Sequence, residues 1–290
     1  MNISRRQRRK PLIHRSDAGV DSINPIDYEN NCQRLTRILR AVLDIYKNRH
    51  LGNKELYAHN LAHTFLNHVY AVLVLIEHEQ KTNLPYLPVE ISMLPSIQVL
   101  VRASFEAYLT FYHIFIDPQT IEQRNFRYLR YVYSGYFERG KIELSDDIVI
   151  RDREIATKDR EIASRLRRQL RANNIFQTLG SRQQEKILDG NWRLETWTDI
   201  GLKAGFSRQI SIIFYKYLCG YAHSGSLSVR QSSQVLSKGQ QFRSIDSLIV
   251  LLNICIAKMI EAYRVIFIET ETCLSEEVKG FITLWARQAG

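Results

Sequence analysis

An all-α fold, a multi-helix bundle with a protruding charged helix, is what this 290-residue chain predicts. Three observations carry the expectation. Gly (13) and Pro (6) are scarce for the length, which deprives a β architecture of its turn residues. Leu, Ile, Arg, Glu and Ala recur at helical spacing through most of the chain. The two longest apolar runs, 96–116 and 246–268, are broken by charge: Arg102 and Glu106 in the first, Lys258, Glu261 and Arg264 in the second. Charges in those places mark core helices rather than membrane spans. The length suffices for a sizeable core, so 26–290 is expected to form a single helical domain.

The elements follow in order. Residues 1–25, ending at Asn24-Pro25, read as a disordered basic arm. A first helix is expected from Tyr28 to Asn48, with Leu35, Ile38, Leu39, Val42, Leu43 and Ile45 on its apolar side. Gly52-Asn53 punctuates the chain and opens a long helix to Glu79; Pro85 and Pro88 mark the next connection. The helix bearing Arg102 follows and stops near Asp117-Pro118, since proline disfavours helix in the residue before it. An Arg- and Tyr-rich helix spans 119–139. Within 148–172 the heptad Arg151-Asp-Arg-Glu-Ile-Ala-Thr157 is followed by Lys158-Asp-Arg-Glu-Ile-Ala-Ser164. Ile148, Ile155 and Ile162 recur every seven residues, with Leu166 and Leu170 extending the stripe, so an exposed charged helical insertion is expected here, projecting from the core or holding a partner protein. Residues 173–206 read as short helices and loops. Ser207 caps a helix running toward His223 and closing at Gly225; an apolar helix at 243–270 and an amphipathic one at 275–288 end the chain.

The formal charge is +10, and six of those charges sit in residues 1–15 without an acid among them. Arg5, Arg6, Arg8 and Arg9 make that arm a candidate nucleic-acid contact. Arg165, Arg167, Arg168 and Arg171 form a second basic patch, although arginines late in a helix also complement its dipole. The basic N-terminus lacks an apolar h-region, so a cytoplasmic protein without membrane contact is the default. Cys32, Cys219, Cys255 and Cys273 form no Cys-x-x-Cys pair, which speaks against a zinc or redox motif.

The candidate site begins in the apolar run. Arg102, Glu106 and His113 fall within about 40° on a helix, with Thr110 nearby. An unpaired buried charge costs several kcal/mol, so these residues face water or find partners. The best candidate partner is the stretch Tyr217-Leu-Cys-Gly-Tyr-Ala-His223-Ser. Two readings stand open. In one, Arg102 anchors a phosphate or carboxylate, His223 moves protons as acid or base, Glu106 orients one of them, and Tyr217 assists. In the other, the same residues form a structural network that fixes helix register.

Arg102-x-x-x-Glu106 in an apolar helix, then Asn191-Trp192 and Phe214-Tyr-Lys-Tyr-Leu-Cys-Gly-Tyr-Ala-His223-Ser224, resemble a family of bacterial helical proteins catalogued as a domain of unknown function. That family is similar in turn to the HEPN superfamily of small helical bundles. The resemblance covers roughly 30–270. It implies a HEPN-like bundle and a metal-independent ribonuclease of the antiphage-defence or toxin type. Its expected partner is RNA or a nucleoprotein, and its expected assembly a homodimer in which an Arg-x4-6-His motif from each subunit forms one site. His223 fits that motif, but Cys219, Leu218, Tyr217 and Lys216 occupy the preceding positions, so Arg102 would bring the guanidinium from another helix.

Other constellations are weaker. Glu55, His59 and His63 lie four residues apart, with His68 beyond, but Glu55 and His63 are about 12 Å apart along a helix, too far to share one ion. Cys219 and His223 share a helix face, where a small buried cysteine is the simpler reading than a nucleophilic dyad. No phosphate-cradling glycine loop occurs, and neither a metal nor a cofactor is expected. Arg124, Arg127, Arg130, Tyr128, Tyr131 and Tyr133 could stack on single-stranded bases or pack helix on helix.

Overall fold

The computed structural model describes residues 27–81, 92–141, 150–223, 225, 226, 230 and 238–290. All regular elements among them are helical. The basic arm with Arg5, Arg6, Arg8 and Arg9, the Pro85–Pro88 connection and Ile148 lie outside the described residues.

The helices run α1 (Tyr28–Asp44), α2 (Asn53–Lys81), α3 (Leu94–Phe111), α4 (Ile121–Gly140), α5 (Ile150–Arg171) and α6 (Asn174–Thr178). Then come α7 (Ser181–Leu188), α8 (Trp197–Lys203), α9 (Tyr215–Ala222), α10 (Lys238–Ile266) and α11 (Glu276–Ala286). The single domain expected over 26–290 divides into two compact units. One joins the described residues up to Phe111 to Gly205–Gly290; the other is Tyr112–Ala204. The physical reason is a second core: Phe126, Tyr133, Ala163, Leu170, Phe176 and Ile187 form an apolar cluster drawn entirely from the middle of the chain.

In the first unit α10 is buried on nearly every side, from Ile245 through Leu252, Cys255 and Ile256 to Tyr263. A helix apolar all round must be enclosed, and α1, α2, α3 and α11 pack around it. Leu35, Leu39, Val42 and Leu43 give α1 its inward stripe, and Asn253 of α10 donates to the Tyr28 carbonyl at 3.0 Å where α1 begins. Leu94–Ile116, comprising α3 and the π turn after it, is long and apolar enough to cross a membrane, but more than half of it is buried inside the protein.

In the second unit a π turn (Tyr112–Ile116) leads into α4, capped by the Thr120 hydroxyl, which accepts from the Gln123 amide. α5 packs along α4 instead of projecting, and its buried stripe is Ala156, Asp159, Ala163 and Leu170. The heptad is therefore real but its inward phase is one residue from the expected one: Ile155 is exposed and Ile162 only half-buried. Alanine lets two backbones approach where isoleucine holds them apart. The approach is close, since a methyl group on Gly140 would stand 3.2 Å from the Arg160 side chain. Arg160 Nε donates to the Gly140 carbonyl at 3.0 Å, and Arg139 pairs with the buried Asp159 at 2.6 Å. Ala163→Leu is expected to cost about 1–3 kcal/mol by overpacking this seam. Ile155→Ala is expected to change stability by less than about 0.5 kcal/mol. Urea unfolding of the two variants checks the phase, and the opposite ranking would restore the isoleucine stripe.

Candidate functional site

Arg102 and Glu106 meet α9 inside the first unit. α3 sets them one turn apart, and the hydroxyls nearby are absorbed by their own helix: Ser104 donates to the Leu100 carbonyl and Thr110 to that of Glu106. Ahead of α9, Ser207 Oγ accepts from the Ile210 amide at 3.3 Å, and a π turn (Gln209–Phe214) precedes the helix proper. Tyr215 opens α9 and His223 continues its last turn eight residues on, within about 80° of Tyr215, so both can address α3. The chain closes with the His223 amide on the Cys219 carbonyl and Gly225 on Gly220.

Glu106 Oε1 is the hub. It accepts from Arg102 Nε at 3.0 Å and from Tyr215 Oη at 2.7 Å, and lies 2.9 Å from Arg102 Nη2. Arg102 Nη1 reaches His223 Nε2 at 3.2 Å, and the Tyr215 ring lies 5.6 Å from the guanidinium carbon. The Arg102 side chain is 14% exposed and that of Glu106 26%, whereas His223 is exposed. Burial works against the Arg102 charge, but Glu106, followed by Tyr215, outweighs it and holds the guanidinium above its ordinary pKa. Burial and then Glu106 push the Tyr215 hydroxyl well up, so it stays a donor. Because Arg102 can only donate, His223 Nε2 is the acceptor in this contact. The result is a largely desolvated guanidinium–carboxylate pair with an imidazole at its solvent edge. Such a group can bind an oxyanion and move a proton beside it.

The structure thus brings Arg102, Glu106 and His223 together. Tyr217 differs: its hydroxyl accepts from Gln98 at 2.8 Å and lies 3.3 Å from that of Tyr221, while the hydroxyl on Glu106 is that of Tyr215. Sequence reasoning passed over Tyr215, although the spacing Tyr215, Cys219, His223 was a visible signal. It also passed over Gln98, one turn before Arg102 on α3.

His113 lies beyond the shift from α to π geometry at Tyr112, and its partners are in the second unit. Its Nδ1 is 3.2 Å from Glu195 Oε2, and its ring meets Trp192 edge-on at 5.8 Å. Glu195 is placed by the capping box of α8, Thr196 with Asp199, and by Arg193, which donates to the Glu195 carbonyl at 2.9 Å. Hydrogen bonding from His113, helped by Lys203, holds the Glu195 carboxyl down to about 2 against the effect of burial. Burial lowers the His113 pKa, so this ring is a neutral donor to Glu195. Ligand atoms of His113, Asp117 and Glu195 lie within 4.8 Å of one another, a spacing that fits a metal ion. Arg127 and Lys203, however, already pair with the two carboxylates, and their charges repel a cation. The donor set fits an ion-pair network better than a metal centre.

On α5, Arg165, Arg167, Arg168 and Arg171 are all exposed. They do not share one face. Arg160, Ser164, Arg167 and Arg171 fall within about 60°, and Arg165 stands apart. Arg160, Ser164 and Arg167, with Lys141, Tyr133 and Phe137 of the α4 side, line a groove of about 220 Å³. Arg160 was not singled out from the sequence, though Arg153, Arg160 and Arg167 recur every seven residues.

The histidines of α2 have a structural explanation. His59 Nδ1 is 2.8 Å from Tyr263 Oη, and its ring meets His63 edge-on at 4.6 Å; burial lowers both pKa values. Burial also raises the Cys32 thiol to about 12, which makes it inert, and Cys273 is the exposed thiol. No family model, curated protein or solved structure matches this chain.

Proposed function

We propose that this chain is a HEPN-like effector of the antiphage-defence or toxin type that acts on RNA in the cytoplasm. The observation that carries the reading is the meeting of His223 with Arg102 and Glu106 across two helices 121 residues apart in sequence. In this reading the buried pair keeps Arg102 charged and aimed, and Arg102 stabilises the phosphoryl oxygens as charge develops on them. His223 takes the proton from the ribose 2′-hydroxyl as its oxygen bonds to phosphorus; the P–O5′ bond breaks, O5′ takes a proton from water, and His223 returns its proton to solvent. The products are a 2′,3′-cyclic phosphate and a 5′-hydroxyl. Glu106 and Tyr215 are positioning residues. A homodimer would bring two such sites together, as the resemblance to HEPN proteins suggests.

The α5 stripe supplies the track for the RNA backbone. Replacing Arg167 and Arg171 with Ala is expected to weaken binding similarly for all RNA sequences. It should reduce the slope of log affinity against log salt by about 1.4, roughly 0.7 for each lost phosphate contact on a single strand. An unchanged slope would remove the stripe from the interface.

A second reading is favoured by one specific contact. Arg102 Nη1 holds the His223 nitrogen that must exchange the proton, as a network that only fixes the packing of α9 on α3 would do. The chain would then be a non-catalytic subunit that binds a partner protein or nucleoprotein. Expression of the wild type and His223→Ala in bacteria separates the two. Growth arrest with degraded RNA from the wild type alone supports the enzyme; equal growth of both strains at equal soluble protein supports the binding subunit.

A further inference from the structure

The second unit buries a guanidinium that makes no direct ion pair, although Glu195 attracts it from a distance. Arg130, on α4, is 5% exposed. Among the described residues it makes no hydrogen bond or ion pair, its Nε is buried without a partner, and it lies over the Phe126 ring at 4.9 Å. The carboxylates near it are committed elsewhere. Arg127 Nη1 holds Asp117 at 2.5 Å, and Glu195 is shared between Lys203 and His113. Arg127, Arg130 and Lys203 therefore face two carboxylates, and the cluster carries one positive charge too many. Burial, followed by repulsion from Arg127, lowers the Arg130 pKa to about 10, which still leaves it charged at neutral pH. A buried unpaired ion costs several kcal/mol, and arginine has no neutral form to retreat to.

His113 adds a second, opposite requirement. It is 1% exposed and its Nε2 has no partner. Arg127 Nη1 also lies 3.2 Å from His113 Nδ1, but its hydrogens go to the His113 carbonyl at 2.7 Å and to Asp117, so the Nδ1 proton of His113 is left for Glu195. The neutral ring then presents a bare lone pair at Nε2, within electrostatic reach of Arg130. An anion that also carries a proton answers both needs at once, giving Arg130 a counter-charge and His113 Nε2 a donor. Hydrogen phosphate and protonated phosphate monoesters meet that requirement near neutral pH. Sulfate, carboxylates and the phosphodiesters of an RNA backbone carry no proton there.

We propose that the Arg130–His113 cluster of the second unit is a binding site for a protonated phosphate: Arg130 donates to its oxygens, and its P–OH donates to His113 Nε2. This site is independent of Arg102 and His223. Calorimetric titration of the full chain with inorganic phosphate at neutral pH, against sodium sulfate at matched ionic strength, tests it. Saturable binding of phosphate at least tenfold tighter than sulfate is expected, with Arg130→Gln lowering phosphate affinity more than tenfold and His223→Ala leaving it unchanged. His113→Gln is expected to narrow the preference for phosphate over sulfate. Equal response to both anions would overturn the proposal, as would no saturable response to either, which would leave Arg130 solvated by water alone. The wild-type comparison decides the matter even if the Arg130 variant fails to fold.

Discussion

His223→Ala is expected to lower RNA cleavage by at least about 100-fold, the usual contribution of a positioned acid or base. The fold should barely register the change. The side chain is exposed, and substitutions at exposed positions shift stability by roughly 0.5 kcal/mol or less; the loss of one contact to Arg102 brings the figure to about 1 kcal/mol at most. Activity and urea unfolding measured on one preparation therefore give a clear contrast. Arg102→Lys should fall between the wild type and His223→Ala in activity, because lysine keeps the charge but loses the fork that addresses Glu106 and a phosphate together. A variant of His223 that unfolds and loses activity in parallel would assign the residue to the fold.

Glu106→Ala is expected to be the most destabilising change at the site. It removes the hub that accepts from Arg102 and Tyr215 and leaves a 14%-exposed guanidinium without its carboxylate. Breaking a fully buried pair costs about 3–5 kcal/mol, and partial exposure here reduces the expectation to about 2 kcal/mol. The double variant Arg102→Met with Glu106→Leu should recover most of that loss, because apolar residues of similar volume need no counter-charge. Recovered stability without recovered cleavage would show that the pair is kept for chemistry. Recovery of both would leave Arg102 and Glu106 no role beyond packing. The comparison needs only chemical unfolding midpoints and an RNA cleavage assay.

What the sequence disclosed and what it hid have physical causes. Arg102 and Glu106 stand out because charge inside an apolar helix is costly, and that cost is visible without a structure. His223 was identifiable as the polar end of a helix that had to pack on something. Tyr215 was legible as well: the π turn from Gln209 to Phe214 ends before it, so its eight-residue spacing to His223 is regular and sets it nearer the His223 face than Tyr217, six residues away. The π turn at Tyr112 hid the surroundings of His113, which continues the Arg102 stripe only if the helix stays α-helical. In α5 the isoleucines and the alanines share the same seven-residue period, so the repeat predicted a buried stripe without choosing between them. Hydropathy favoured Ile155 and Ile162; the close approach of α4 at Gly140 favoured Ala156 and Ala163. The division into two units rests on contacts such as that of the Tyr133 hydroxyl with the Leu188 carbonyl, which no local pattern encodes.

The central claim is that Arg102 and His223 cleave RNA by attack of its own 2′-hydroxyl. The most direct measurement is the chemistry of the ends produced when the purified chain is incubated with a single-stranded RNA oligonucleotide in the presence of a metal chelator. The account predicts 2′,3′-cyclic phosphate or 3′-phosphate ends paired with 5′-hydroxyl ends, formed by the wild type and lost in His223→Ala. Cleavage leaving 3′-hydroxyl and 5′-phosphate ends, or intact RNA after incubation with the folded wild type as monomer and dimer, would contradict it.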